Sequence, residues 1–117
     1  MLFHLDSVDY PDYALKVAEE VSQGKADLGI ILCGTGIGIS IAANKVKGIR
    51  AAVAHDLFTA EMCKRHNNAN ILAMGGRVIS PDLAKQMVKI WLESEFEGGR
   101  HTNRLNKIAA IEQKYFK

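Results

Sequence analysis

Three features of the 117-residue sequence predict an α/β fold, a three-layer α/β/α sandwich around a Rossmann-like parallel sheet. Short apolar runs alternate with helical patterns, a charge-free stretch from Leu28 to Ala43 opens into glycines at alternate positions, and proline and glycine mark the helix ends. A strand that returns to the sheet through a helix must lie parallel to its predecessor, and the helices then cover both faces.

Taken in order, Ala14, Val17, Ala18 and Val21 recur at helical spacing, with Pro11 suited to a first turn and Gly24 to an end. Residues 26–33, "ADLGIILC", read as a buried strand, and 38–46, "GISIAANKV", as a short helix that begins inside the glycine loop. "IRAAVAH" supplies the next strand, and Asp56 is placed to cap a helix running to about His66. "ANILAMGG" is a further strand; Ser80-Pro81-Asp82 starts the helix that carries Leu83, Met87, Ile90 and Trp91. "EFEGGRH" interrupts the pattern before a last helix, Thr102 to about Lys114, with Leu105, Ile108 and Ala109 as its apolar stripe. No repeat or linker divides the chain, which reads as one domain over residues 1–117.

Composition narrows the function classes. Hydrophobic residues make up 48% and charged residues 24%, the balance of a folded soluble protein. A net charge of +2 gives no general argument for nucleic acid, and no aromatic residues interleave the arginines near the C-terminus. The uncharged run at 28–43 is short for a membrane span and broken by glycines. Two cysteines, Cys33 and Cys63, neither build a disulfide framework nor form a zinc-type CxxC, and fit a reducing cytoplasm.

Three constellations could carry chemistry. The first is Cys33-Gly34-Thr35-Gly36-Ile37-Gly38, where glycines let backbone N–H groups approach an anion and a helix start favours a thiolate at the loop's mouth. The plain alternative is a small buried residue ending a strand. As a dinucleotide fingerprint the loop is imperfect, because Ile39 replaces the final glycine of GxGxxG; Asp56 nevertheless sits where a ribose-binding acid would be expected, which keeps nucleotide binding open. The second is His66-Asn67 at a helix end, which on its own also reads as a solvated C-cap. The third is Arg100 and Arg104, four apart on one helix face, suited to clamping a phosphate or simply forming an exposed basic face.

Taken together, "DYPDYA", "ILCGTGIGISIAANK", "GIRAAVAHD", "RHNNANILAMGGRVI" and "FEGGRHTNR" closely resemble the type-B ribose-5-phosphate isomerase family, which includes galactose-6-phosphate isomerase subunits. The resemblance implies an aldose–ketose isomerase working through an enediol on ribose 5-phosphate and ribulose 5-phosphate, without metal or cofactor. It also implies a homodimer or homotetramer with active sites between subunits, and a phosphorylated sugar as the partner, with no nucleic acid or membrane involved. Cys33 matches the family's base, Thr35 and the amides of Gly34, Gly36 and Gly38 its enediolate cradle, and His66 with Asn67 its ring-opening residues across the subunit boundary. Arg100 and Arg104 match the phosphate-binding arginines, with Arg77 and Tyr10 as lesser contributors. Fixed donors at a developing oxyanion lower such barriers by about 2.7–4 kcal/mol each in a well-studied case. A thiol, with an ordinary pKa of about 8.5, is within reach of base duty near neutrality.

The match begins at about Ser7. The family's first strand, ending in Asp-His, and the helix after it have no counterpart in this sequence, and neither His4 nor Asp6 restores the pair. The expectation is a sheet short of one strand and a site short of two sugar contacts. The alternatives are a non-catalytic phosphosugar-binding or assembly subunit and a galactose-6-phosphate isomerase subunit.

Overall fold

The computed structural model describes residues 9–116; His4 and Asp6 lie outside them. Helix α1, Tyr10–Ser22, has Pro11 in its first turn and buries Ala14 and Ala18 completely. Gly24, at φ +77°, turns the chain beyond it, a conformation that costs glycine little. Strand β1, Gly29–Cys33, leads through the glycine loop into α2, Ile37–Ala43. Strand β2 spans only Ala51–Val53, and α3 covers Leu57–Arg65. Strand β3, Ile71–Gly75, is buried at every position, and α4, Pro81–Glu93, starts at Ser80, whose hydroxyl accepts from the Leu83 N–H at 3.1 Å. Helix α5 spans Arg100–Tyr115.

The three strands are parallel in the order β1-β3-β2, with Gly29 and Ala51 both opposite Ile71, and Cys33 opposite Gly75. Successive side chains of β3 point to opposite faces. Ile71 and Ala73 pack with Ala14, Ala18, Ile39 and Ala43 of α1 and α2. Leu72 and Met74 pack with Ala60, Cys63, Met87 and Trp91 of α3 and α4. Burying a side chain such as Leu72 or Met87, each fully inaccessible, contributes about 1.5–3 kcal/mol. The expected three-layer sandwich is therefore present, and among the described residues no helix is long and apolar enough to cross a membrane.

Several element bounds differ from expectation. The strand expected over residues 49–55 shrinks to three: the Ala54 N–H still reaches Ala73 O at 3.0 Å, but beyond it Thr59 Oγ1 accepts the N–H groups of His55 and Asp56, and at the other end Asn70 Oδ1 accepts the Arg50 N–H at 2.7 Å. The last helix starts at Arg100, directly after Gly98 and Gly99, both at positive φ, and two residues before the expected Thr102. Its apolar stripe does not join the core. Ile108 and Ile111 are 53% and 60% exposed, Ala109 is also exposed, Leu105 is half-buried, and only His101 of the whole helix is buried. Near its far end, Glu112 Oε1 accepts the Gly48 N–H at 2.7 Å.

Candidate active site

In a parallel sheet every strand ends at the same edge, and the βα loops gather there. Cys33 closes β1 at this carboxyl edge, and its Sγ accepts the N–H of Gly36 at 3.2 Å. Gly36 caps α2 at φ +81°, and a Cβ there would lie 2.8 Å from Val53 Cγ2 and 2.9 Å from the Met74 carbonyl carbon. The loop thus sits on the ends of β2 and β3 as closely as backbone can. Thr35 is exposed, and its Oγ1 accepts from the Ile37 N–H at 3.3 Å.

Two further candidates meet the loop from neighbouring elements. Tyr10, in the first turn of α1, lies against Gly38, where a Cβ would come within 2.5 Å of its ring and 2.6 Å of its hydroxyl. Arg77 crosses Gly34, with its Cδ, Nε and Cζ 3.5–3.7 Å from where a Cβ would stand. Its loop is fixed by main-chain bonds: Gly76 N–H to Cys33 O at 2.8 Å and Arg77 N–H to Gly34 O at 3.0 Å. The structure therefore brings together Tyr10, Cys33, Gly34, Thr35, Gly36, Gly38 and Arg77.

His66, Asn67, Arg100 and Arg104 are elsewhere. Helix α3 runs back from the carboxyl edge, so its C-cap His66 comes down beside the amino edge, where Arg50 Nε donates to Asn68 O at 2.8 Å and Gly29 N–H to Asn70 O at 2.9 Å. Helix α4 returns the same way, and the Glu97 N–H donates to Arg65 O at 2.9 Å, which places the start of α5 with its two arginines at this amino edge. A strand of five residues separates the two groups by about 16 Å. Within one chain they do not form one site.

Sequence reasoning missed two members of the second group. The rings of His66 and His101 stack 4.3 Å apart at 15°, and the Nε2 atoms of both lie 3.6 Å from Glu97 Oε1. Only the four-residue spacing of Glu97 and His101 could have signalled this. His101 has its imidazole held below the usual histidine range, chiefly by desolvation and further by His66 and Arg100. Asp56 acts as a helix cap: its Oδ1 accepts from the Thr59 N–H at 2.7 Å and from the Thr59 hydroxyl at 2.8 Å, closing a capping box. These bonds hold its carboxyl below the ordinary carboxylate value. A separate groove of about 320 Å³, lined by Val17, Val21, Leu28, Ile30, Trp91 and Leu92, contains none of the candidate residues.

Comparison with known proteins gives the family. The ribose/galactose isomerase family matches over residues 3–108. Ribose-5-phosphate isomerase B of Escherichia coli (strain K12) is 50% identical over 109 residues, 93% of this chain and 73% of that protein. D-erythrulose-4-phosphate isomerase of Pectobacterium atrosepticum is also 50% identical, over 88% of this chain and 68% of that protein. Among solved structures, ribose-5-phosphate isomerase B of Clostridium thermocellum superposes with a TM-score of 0.94 at 57% identity, covering 98% of this chain and 78% of that one. A likeness that runs through both the glycine loop and the arginine-bearing helix shows that the chain belongs to the ribose/galactose isomerase family.

Proposed function

We propose that this chain interconverts ribose 5-phosphate and ribulose 5-phosphate, with Cys33 as the base. The observation that carries this reading is the Gly36 N–H aimed at Cys33 Sγ from 3.2 Å, at the mouth of a loop that tertiary contacts hold in place. A thiolate at that position can take the proton from C2 of the open-chain sugar and return it to C1. As the proton leaves, charge moves to the carbonyl oxygen, where the remaining loop N–H groups and the Thr35 hydroxyl would meet it. Tyr10 and Arg77 border the same space and would hold the sugar chain against the loop.

The amino-edge group takes its part through a second copy. In this reading His66 and Asn67 open the furanose ring, and Arg100 with Arg104 clamps the phosphate, in a site completed by the loop of a partner subunit. Support comes from the separation of the two groups within one chain and from α5, whose Ile108 and Ile111 are exposed apolar surface of the kind that association buries.

The test is turnover of ribose 5-phosphate by the chain and by its Cys33→Ala variant. Loss of a general base should lower kcat by roughly 10²–10⁴ with little change in KM. Near-normal turnover in the variant would reject Cys33 as base. Because relatives of equal identity bear the names of different sugar phosphates, D-erythrulose 4-phosphate is the comparison substrate, with the higher kcat/KM expected on ribose 5-phosphate.

A further inference from the structure

We propose that His66, Glu97 and His101 form a binding site for an imidazole-seeking divalent cation of the Zn²⁺ or Ni²⁺ class, and that an ion held there takes His66 out of proton transfer. The first half stands on geometry alone; the second rests on the ring-opening reading of His66 given above. The three residues come from different places, the C-cap of α3, the α4–α5 connection and the first turn of α5, yet one ligand atom from each lies within 4.8 Å of the others. Both Nε2 atoms stand 3.6 Å from the same carboxylate oxygen. That is too long for a hydrogen bond. It is close to the spacing between ligands around a tetrahedral ion, about 3.3 Å for bonds of about 2.0–2.1 Å. A contraction of a few tenths of an ångström at these two spacings, with the two stacked imidazoles turning out of their parallel arrangement so that their lone pairs converge, completes three of four positions and leaves one for water.

Ligand chemistry selects the ion. Two imidazoles and one carboxylate suit zinc, nickel and cobalt, whereas magnesium and calcium seek oxygen and would find a single carboxylate. Arg100 and Arg104 add positive charge close to His101, which opposes any cation that cannot gain from nitrogen ligation. The backbone is already tied down, by the Glu97 N–H on Arg65 O at 2.9 Å and the His101 N–H on Gly98 O at 3.1 Å.

Titration of the full, chelator-treated chain with Co²⁺ tests the site. Expected are the visible absorption bands of tetrahedral cobalt at one ion per chain, displaced by Zn²⁺ and indifferent to millimolar Mg²⁺. Glu97→Gln and His101→Ala should each weaken binding at least 10-fold, since even outer-shell changes cost 10–100-fold. Glu97 is exposed, so Glu97→Gln tests the ligand without disturbing the core. Saturating Zn²⁺ should also protect His66 from diethyl pyrocarbonate, read by peptide mass. Binding untouched by both substitutions, a near-UV thiolate-to-cobalt band placing the ion on Cys33, or His66 modified at an unchanged rate would overturn the proposal. Absence of ribose 5-phosphate turnover would count against the isomerase reading while leaving the cobalt spectrum as it is, so the two failures are distinguishable.

Discussion

The N–H of Gly36 reaches the sulfur of Cys33 because residue 36 has no side chain: any Cβ would collide with Val53 and with the backbone of Met74. The sequence pattern of alternate glycines thus has a packing cause beneath its chemical one. Gly36→Ala should destabilise the fold by roughly 2–4 kcal/mol, combining an unfavourable positive φ with overpacking. Gly34→Ala is the control. Its Cβ would meet Arg77 at an ordinary 3.5 Å, and stability should hold. Equal losses in urea unfolding would refute this account of the loop.

The two thiols should separate by reactivity. Burial pushes Cys63 up to about 11, so at pH 8 only about one molecule in a thousand carries its thiolate. Iodoacetamide on the native protein should therefore label Cys33, which is half-buried, and reach Cys63 only after unfolding. Mass analysis of peptides from native and urea-treated samples decides it, and prompt native labelling of Cys63 would contradict the expectation.

Division of the candidate residues between opposite sheet edges makes a mixing experiment informative. Cys33→Ala and His66→Ala chains, each inactive alone, should recover part of their turnover when they exchange subunits, because a hybrid dimer holds one intact site. Exchange demonstrated without recovery would put both residues in one subunit.

His101 gives a pH dependence with a definite sign. Its folded-state imidazole resists protonation, while the unfolded chain takes up a proton near the ordinary value of about 6.5. The unfolded state then binds more protons, so stability is complete above that value and falls as the pH drops below it. His101→Gln should flatten the decline in melting temperature between pH 7 and pH 5. The contribution of Asp56, whose pKa is lowered, is lost only below its ordinary value of 3.8 and does not overlap this window. An unchanged slope in His101→Gln would show that other groups govern it.

Much of this architecture was legible locally. The apolar run before Cys33, the helical spacing through Met87 and Trp91, and the cap at Asp56 are each fixed by residues within a few positions of one another. The meeting of His66 with Glu97 and His101 was not, since it depends on α3 and α4 both running back to the amino edge. Periodicity likewise revealed that Leu105, Ile108 and Ala109 share a face, without revealing that no element among the described residues covers it. A helical repeat reports which side is apolar; what lies against it is a property of the whole assembly.

The strand order carries a consequence for how the sheet comes into being. Among the described residues, strands β1 and β2 have no bonds to each other; each pairs with β3, which comes last of the three along the chain and lies between them. A ribosome delivering these strands would therefore expose both without their shared partner until residue 75 had emerged, and closing those long loops carries an entropic cost before the β3 ladders repay it. Folding should be abrupt and late, with the apolar segment Gly29–Cys33 most vulnerable to foreign pairing in the interval before β3 arrives.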